Sequence, residues 1–351
     1  MNNNNKNINE NQVTNNSTLD KCTTKKQKNP KFVSYIAPFT TEKNKIRLSE
    51  CGDFTMFLAS IDLQKYKLHS ANFCGNRFCP MCSWRTACKD SLKISILMEH
   101  IKKEEDKAFI FLTLTTPNVK GDSLNSEILH LNKSFKKVME RKEVKGVIKG
   151  YIRKLEVTYQ KDEYITKELW KRKKNYYQNK GLSVGDPEPN YDTYNPHFHV
   201  VLAVDKSYFN SRNYIKQEKW LSLWREATGD NSITQVDVRK ATSGDYKEVY
   251  EVAKYSAKDS DYLVNRQVFE IFYKALKGKR LIVYGGLFKE ANTMYENGEL
   301  DCYKQQDNIK YAYMVHYEWN KNRYMETNKR ELTEEELKKY NKMLMDEIEV
   351  D

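Results

Sequence analysis

The chain has no long hydrophobic segment. None of its apolar runs approaches the roughly twenty residues needed to cross a bilayer. Its N-terminus lacks the basic segment and hydrophobic stretch of a secretion signal. The sequence also has no internal repeat and no glycine-rich phosphate-binding loop, which argues against a helicase or another nucleotide-driven motor. We therefore expect a cytoplasmic protein with no membrane partner and no nucleotide cofactor.

Cysteine is rare outside one segment. The chain has seven cysteines, and most of them lie between Cys51 and Cys88. An odd and crowded set is unlike the paired framework of secreted proteins and is typical of a metal site in a reducing compartment. Within it, Cys79-Pro80-Met81-Cys82 places two thiolates on one tight turn, which suits tetrahedral Zn²⁺ together with the nearby Cys74.

The fourth ligand of this zinc site is open between Cys51, Cys88 and His69. Apolar residues recur every four positions from Trp84 through Cys88 and Leu92, which predicts a helix with Cys88 on its buried stripe. We therefore prefer Cys51 as the fourth ligand. The predicted structural zinc site consists of Cys51, Cys74, Cys79 and Cys82.

Positive charge is in excess. The chain has 60 Lys and Arg residues against 48 Asp and Glu, a formal charge of +12, which favours a polyanionic partner such as nucleic acid or an anionic membrane surface. Residues 1–30 are rich in Asn, Lys and Thr, and we expect a disordered leader there. Residues 165–190 contain Lys171-Arg172-Lys173-Lys174 and read as an excursion between strands that either contacts DNA or forms a solvated face.

Two histidines lie on one predicted strand. Residues Asn195 to Val204 are mostly β-branched or apolar after Pro196, which is typical of a strand. Because side chains alternate between faces, His197 and His199 point to the same side, away from an apolar face that begins with Phe198. The pair could share a divalent ion. Alternatively, it is a pair of half-buried strand histidines.

Two further segments offer polar groups to this site. Gly150 to Tyr159 is a predicted strand, and if it neighbours the histidine strand, Glu156 can face both imidazoles and complete a metal site; otherwise it is a solvated glutamate. Asp245 to Asp259 is a predicted helix in which Glu251 and Tyr255, four residues apart, share one face.

Four segments occur in a recognisable order. They are the cysteine segment Cys74–Cys82, Phe111-Leu-Thr-Leu-Thr-Thr-Pro-Asn118, Asn195-Pro-His-Phe-His199 and Glu251-Val-Ala-Lys-Tyr255. Over about residues 47–290 this order resembles the rolling-circle plasmid replication initiators of Gram-positive bacteria. These belong to the HUH endonucleases, in which two histidines flank one hydrophobic residue.

The resemblance implies a protein that binds the double-strand origin of its plasmid and nicks one strand. By match to the family's motifs, Tyr255 would be the nucleophile that forms a 5′-phosphotyrosine and frees a 3′-hydroxyl. His197 and His199 would hold Mg²⁺ or Mn²⁺, and Glu251 would activate water for the terminating cleavage. Glu156 is our geometric proposal for a third metal ligand. A host helicase and the replicative polymerase are the expected partners.

The resemblance also implies an α+β fold, an HUH-type antiparallel sheet with helices on one face, to which a small N-terminal zinc-binding module is added. We expect the disordered leader at 1–30, the zinc module and its following helix at 45–100, the endonuclease domain at 105–290, and a C-terminal strand and helix extension at 291–351.

Two other functions use the same features. Transposases and conjugative relaxases carry the same histidine pair, although relaxases usually place the tyrosine before the histidines, whereas Tyr255 follows them. From another class, the chain could be a zinc-containing origin-binding protein that never cuts DNA.

Overall fold

The computed structural model describes residues 17–241 and 257–348 of the chain, which form mixed α and β structure. The strands are β1 Phe54–Ser60, β2 Tyr66–Ala71, β3 Lys107–Thr115, β4 Ile148–Gln160, β5 Thr193–Asp205, β6 Asp237–Lys240, β7 Ile282–Gly286, β8 Tyr311–Asn320 and β9 Arg323–Glu331. The helices are α1 Ser17–Gln27, α2 Asn29–Ile36, α3 Glu42–Ser49, α4 Pro80–Glu104, α5 Leu124–Glu140, α6 Lys142–Lys145, α7 Lys167–Arg172, α8 Lys174–Asn179, α9 Gln217–Thr228, α10 Asp259–Tyr262, α11 Arg266–Leu276, α12 Leu287–Glu296 and α13 Glu334–Tyr340. Among these described helices, none combines the length and the apolar character that crossing a membrane requires.

The chain divides into two compact units. The terminal unit contains the described residues of Met1–Val33, Thr40–Cys82 and Gln306–Leu344, and the central unit contains those of Ser34–Phe39, Ser83–Gln305 and Met345–Asp351. Each unit has its own antiparallel sheet.

The central unit is built on a five-stranded sheet in the order β6-β3-β5-β4-β7. The predicted histidine strand is confirmed as β5 and lies in the middle of this sheet. Its apolar face is buried completely from Phe198 to Val204, as the alternation predicted. On this face α5 packs against the sheet through Phe135, whose ring lies 5.7 Å from that of Phe198.

The opposite face of this sheet, which carries the histidines, is covered over one half. There the apolar residues of β3 and β5, such as Phe111 and Val201, pack in one cluster with Leu97 of α4 and Phe288 of α12. The prediction of helices on only one face is therefore wrong. The apolar stripe of α4 needs a partner surface, and the apolar half of the histidine face provides it.

The terminal unit has a four-stranded sheet in the order β2-β1-β8-β9. Strands from the two ends of the chain thus form one sheet, since Phe57 of β1 lies opposite Val315 of β8. The expected C-terminal extension contains two strands, β8 and β9, and the helix α13. The two strands belong to this sheet. A local pattern predicts a strand without identifying its partner.

Part of the N-terminal segment that was predicted to be disordered is helical. Residues 1–16 lie outside the described residues, but α1 occupies the following part of the predicted disordered leader. Leu19, Cys22 and Lys26 recur at helical spacing and are all buried, so one narrow stripe attaches an otherwise polar helix. The sparse apolar content of the segment concealed this stripe.

Candidate metal centres

The first candidate metal centre is formed where the central strand β5 pairs with its neighbours β3 and β4. On β5, His197 lies opposite Glu156 of β4 and opposite Thr115 of β3, while His199 lies opposite Thr113. Residues opposite each other in a ladder point to the same face of the sheet. The pairing therefore gathers the two histidines and Glu156 on one polar surface.

The three donor groups are within direct contact. The Glu156 Oε2 atom is 2.9 Å from His199 Nε2 and 3.5 Å from His197 Nε2. Glu156 is only 6% exposed, and each histidine is 8% exposed. The structure thus brings together the three residues of the predicted site in a group that could hold a metal ion.

The other nitrogen of each ring is held by the protein. His197 Nδ1 is 3.1 Å from the backbone oxygen of Asn195, and His199 Nδ1 is 3.5 Å from Thr113 Oγ1. A carbonyl oxygen can only accept, so His197 Nδ1 carries a proton, and Nε2 is the nitrogen that faces Glu156 and would face a metal ion. The sequence analysis missed Asn195 and Thr113, although Asn195 is in phase with both histidines along the strand.

The carboxyl group of Glu156 is held in its ionised form. Burial alone disfavours the charge, but hydrogen bonds and favourable charge interactions with His197 and His199 outweigh that effect. The pKa of Glu156 therefore lies well below its ordinary value. One carboxylate and two imidazoles form a donor set that suits Mn²⁺ and is compatible with Mg²⁺.

Most of the predicted helix at 245–259 lies outside the described residues. Glu251 and Tyr255 are among the residues that are not described. The described chain resumes at Ala257 and enters α10. Asp261 of this helix accepts a hydrogen bond from the backbone nitrogen of Tyr159, at 3.4 Å, and burial raises the pKa of Asp261. The segment that follows Tyr255 is therefore attached to β4, the strand that carries Glu156.

The second candidate centre is a group of four cysteines in the terminal unit. Cys51 Sγ lies 3.6 Å from Cys82 Sγ and 3.5 Å from Cys79 Sγ, and Cys74 Sγ lies 3.6 Å from Cys82 Sγ. Tetrahedral Zn²⁺ with bonds of about 2.3 Å separates its sulfur ligands by about 3.8 Å. The spacing therefore fits zinc, and the four cysteines are the set predicted from the sequence.

A cation would also balance the charge of these thiols. Hydrogen bonds from Cys51 and the other two cysteines lower the pKa of Cys82, while the hydrogen bond to Cys51, its other thiol neighbours and burial raise the pKa of Cys79. Four thiolates in one buried space repel each other, so a doubly charged ion is needed to hold them all deprotonated. Backbone amides add donors, since Cys74 N lies 3.3 Å from Cys51 Sγ.

The rival ligands lie elsewhere. His69 Nε2 is 3.3 Å from the hydroxyl of Tyr340, and Cys88 is buried in α4. Neither belongs to the cysteine group found in the described part of the chain. Lys26 supports that group instead: its Nζ donates to the backbone oxygen of Cys51 at 2.9 Å. Sequence reasoning missed this lysine because it assigned the segment to a disordered leader.

Comparison with known proteins identifies relatives over most of the chain. The profile of the family described as "Replication protein" matches residues 65–325. A Staphylococcus aureus protein named "Protein rep" is 48% identical over 249 residues, covering 71% of this chain and 96% of the relative. Proteins of the same name from Streptococcus pneumoniae (34% identical, 75% of this chain and 76% of the relative) and Bacillus amyloliquefaciens (32%, 76% of each) are also similar. No solved structure matches the chain.

We predict that purified wild-type protein contains one zinc ion per chain and that Cys79→Ser loses it. Loss of the ion leaves the cluster without its central charge, so the thermal unfolding midpoint should fall by about 5 °C or more. Zinc should also be released as the pH falls, because protons compete with the ion for the thiolates. Released zinc is measured with a chromogenic chelator and unfolding by calorimetry.

Cys88→Ser is the matched control for this zinc prediction. It changes an equally buried cysteine outside the group and should keep the zinc. Equal loss of zinc from both variants, or a wild-type protein that never takes up zinc, would contradict the assignment.

Glu156→Gln should weaken Mn²⁺ binding about 10-fold or more, because the amide removes the negative charge from the donor set. Free Mn²⁺ in a titration is read by electron paramagnetic resonance. Binding by the wild-type protein should strengthen as the pH rises, since neutral imidazoles are required and the depressed pKa of Glu156 already keeps it ionised. Glu163→Gln, an exposed glutamate beyond the same strand, should bind as the wild type does. Unchanged binding by Glu156→Gln would remove Glu156 from the site.

Proposed function

Because the chain belongs to the replication protein family, as its resemblance to the plasmid replication initiators of Gram-positive bacteria predicted, we propose that it initiates rolling-circle replication of a plasmid. In this role it binds the double-strand origin and nicks one DNA strand. The observation that carries the proposal is the group of Glu156, His197 and His199, with both imidazoles oriented by the protein.

This group would hold Mg²⁺ or Mn²⁺. When bound, such an ion offsets charge on the scissile phosphate and orients the phosphorus for in-line attack. The protein contributes the orientation of the ligands, because the Nδ1 contacts of both rings fix where their Nε2 atoms point. Burial of Glu156 keeps competing water away from the carboxylate.

Tyr255 is the proposed nucleophile. Its phenolic oxygen attacks the scissile phosphorus and forms a 5′-phosphotyrosine, while the bond to the 3′ oxygen breaks. The phenol gives up its proton, and the departing oxygen gains one to become a 3′-hydroxyl that a polymerase can extend. A free tyrosine has a pKa of about 10, so it needs help to lose its proton at neutral pH. The attachment of Asp261 to Tyr159 supports this role, since it links the segment after Tyr255 to the strand of Glu156.

Termination is assigned to strand transfer or hydrolysis. Because the phosphotyrosine preserves the energy of the phosphodiester, the reverse transfer can rejoin strands without a nucleotide cofactor. Glu251 would deprotonate water for the terminating cleavage. The host helicase and the replicative polymerase would then act on the nicked origin.

We predict a covalent adduct between the wild-type protein and a single-stranded oligonucleotide that carries the origin nick site. With Mn²⁺ present, denaturing electrophoresis should show a label on the 3′ end of the oligonucleotide moving with the protein, because the downstream fragment retains the 5′-phosphate. Tyr255→Phe should form no adduct, since it lacks the attacking oxygen.

Tyr250→Phe is the matched control for this experiment and should form the adduct normally. A label on the 5′ end should appear only in a shortened free fragment. Nicking that persists in Tyr255→Phe would exclude this nucleophile. With a verified origin and folded, zinc-containing protein, the absence of both adduct and nick would favour the origin-binding protein that does not cut.

Glu251→Ala should form the initial adduct at a normal rate and fail to terminate cleanly, because only the second cleavage is assigned to water activated by this carboxylate. A time course with an oligonucleotide carrying two nick sites should therefore show the adduct persisting. Glu251→Asp should terminate better than Glu251→Ala. Termination at the wild-type rate in both variants would remove the assigned role.

A further inference from the structure

The basic excursion of the central unit is a folded arm, residues 165–190. Its base is closed by a bridge between Tyr164 and Pro187. Inside the arm Ile165, Leu169 and Tyr177 form a small buried core. The hydroxyl of Tyr177 donates to the buried carboxylate of Glu188. The arm therefore presents its lysines from a packed scaffold rather than from a solvated charge run.

A groove of about 810 Å³ lies between this arm and the ends of β3 and β5. The arm contributes Lys171, Arg172, Lys173, Lys174 and Lys180, and no acidic residue lines the groove within the described chain. None of these five cations forms an ion pair with another described residue. Such a surface attracts a polyanion.

An aromatic ring lies among these cations. Tyr176 is 36% exposed, and Lys180 Nζ lies 4.9 Å from the centre of its ring. Its hydroxyl accepts a hydrogen bond of 3.0 Å from Asn190 Nδ2, which fixes the ring. A fixed and partly exposed ring between cations is the arrangement on which unpaired bases stack.

The groove borders the Glu156, His197 and His199 group. Asn195 lines it, and the backbone oxygen of this residue holds the His197 ring. Thr115 also lines it, lies opposite His197, and donates to Asn195 Oδ1 at 3.2 Å. A DNA strand with one phosphate at the Glu156, His197 and His199 group would continue into the groove along Thr115 and Asn195.

We infer that the groove between the arm and the ends of β3 and β5 binds single-stranded DNA next to the nick site. This inference rests on the proposed function and adds the surface that holds the strand. The exposed cations Lys171, Arg172 and Lys174 contact phosphates, and Tyr176 stacks on a base. Single-stranded rather than duplex DNA is the partner, because stacking on Tyr176 requires a base freed from its own helix.

The test is fluorescence anisotropy with a labelled origin oligonucleotide, without added Mg²⁺ or Mn²⁺ so that binding is separated from cleavage. The combined variant Lys171→Ala, Arg172→Ala and Lys174→Ala should bind single strands about 10-fold or more weakly at low salt. Three lost phosphate contacts should also reduce the slope of log affinity against log salt by about 2. Lys173 is left in place because it is half-buried within the arm.

The matched control removes the same charge from exposed positions near α5 and α6, with Lys133→Ala, Lys142→Ala and Lys145→Ala. It should bind as the wild type does. Tyr176→Ala should lose about 5-fold or more of the affinity, while Tyr176→Phe keeps the stacking ring and should stay within about 2-fold of the wild type. Zinc content and the unfolding midpoint verify that each variant is folded.

Three results would overturn the inference. These are unchanged binding by the arm variants, equal losses in the arm and control variants, and loss of duplex binding with single-strand binding intact. Failure of the proposed function gives a different result. Wild-type protein would then bind single strands through the arm but form no adduct. If the proposed function is correct but the groove does not bind the strand, the arm variants should form the adduct as the wild type does at every DNA concentration.

Discussion

The register between β4 and β5 is the constraint on which the candidate metal site of Glu156, His197 and His199 depends. Glu156 faces the histidines because it pairs with His197, and side chains alternate along both strands. A slip of one residue would turn Glu156 to the other face and bring Leu155 or Val157 against the imidazoles. That slip is opposed by the core, since Leu155 and Phe198 are both buried on the opposite face. Apolar packing on one face of the sheet thus sets the donor geometry on the other.

The same arrangement explains how a nearly buried carboxylate is tolerated. An isolated buried charge is costly, and Glu156 avoids this cost through its contacts with two imidazoles whose orientation is set by Asn195 and Thr113. The candidate ligand atoms of Glu156, His197 and His199 therefore already lie close together. Binding a cation would require little rearrangement of the protein. Such preorganisation suits phosphoryl transfer, in which positioning and electrostatic stabilisation supply most of the rate.

Local sequence patterns predicted the elements of the site but not the pairing of distant segments. The alternation around His197 and His199 gave the strand and its faces, and the spacing from Cys74 to Cys82 gave most of the cysteine group. In contrast, helices on both faces of the central sheet and the pairing of β8 with β1 depend on contacts between residues far apart in the sequence. Nothing in a local pattern specifies such partners. Asn195 was missed because it acts through its own backbone oxygen, for which a sequence carries no signature. Lys26 was missed because its segment was assigned to a disordered leader.

The terminal unit shows why the cysteine group is more than an added module. The segment Cys51-Gly52 is held from both ends of the chain: Lys26 of α1 donates to the oxygen of Cys51, and the hydroxyl of Tyr324 on β9 donates to the oxygen of Gly52 at 2.5 Å. Gly52 has a φ of +76°, a backbone conformation that L side chains rarely adopt, so this tight turn favours glycine. An ion that fixes Cys51 therefore also fixes the turn to which both chain ends attach. Zinc bound at this point would stabilise the whole terminal sheet, because the elements that close it share the backbone of a metal ligand.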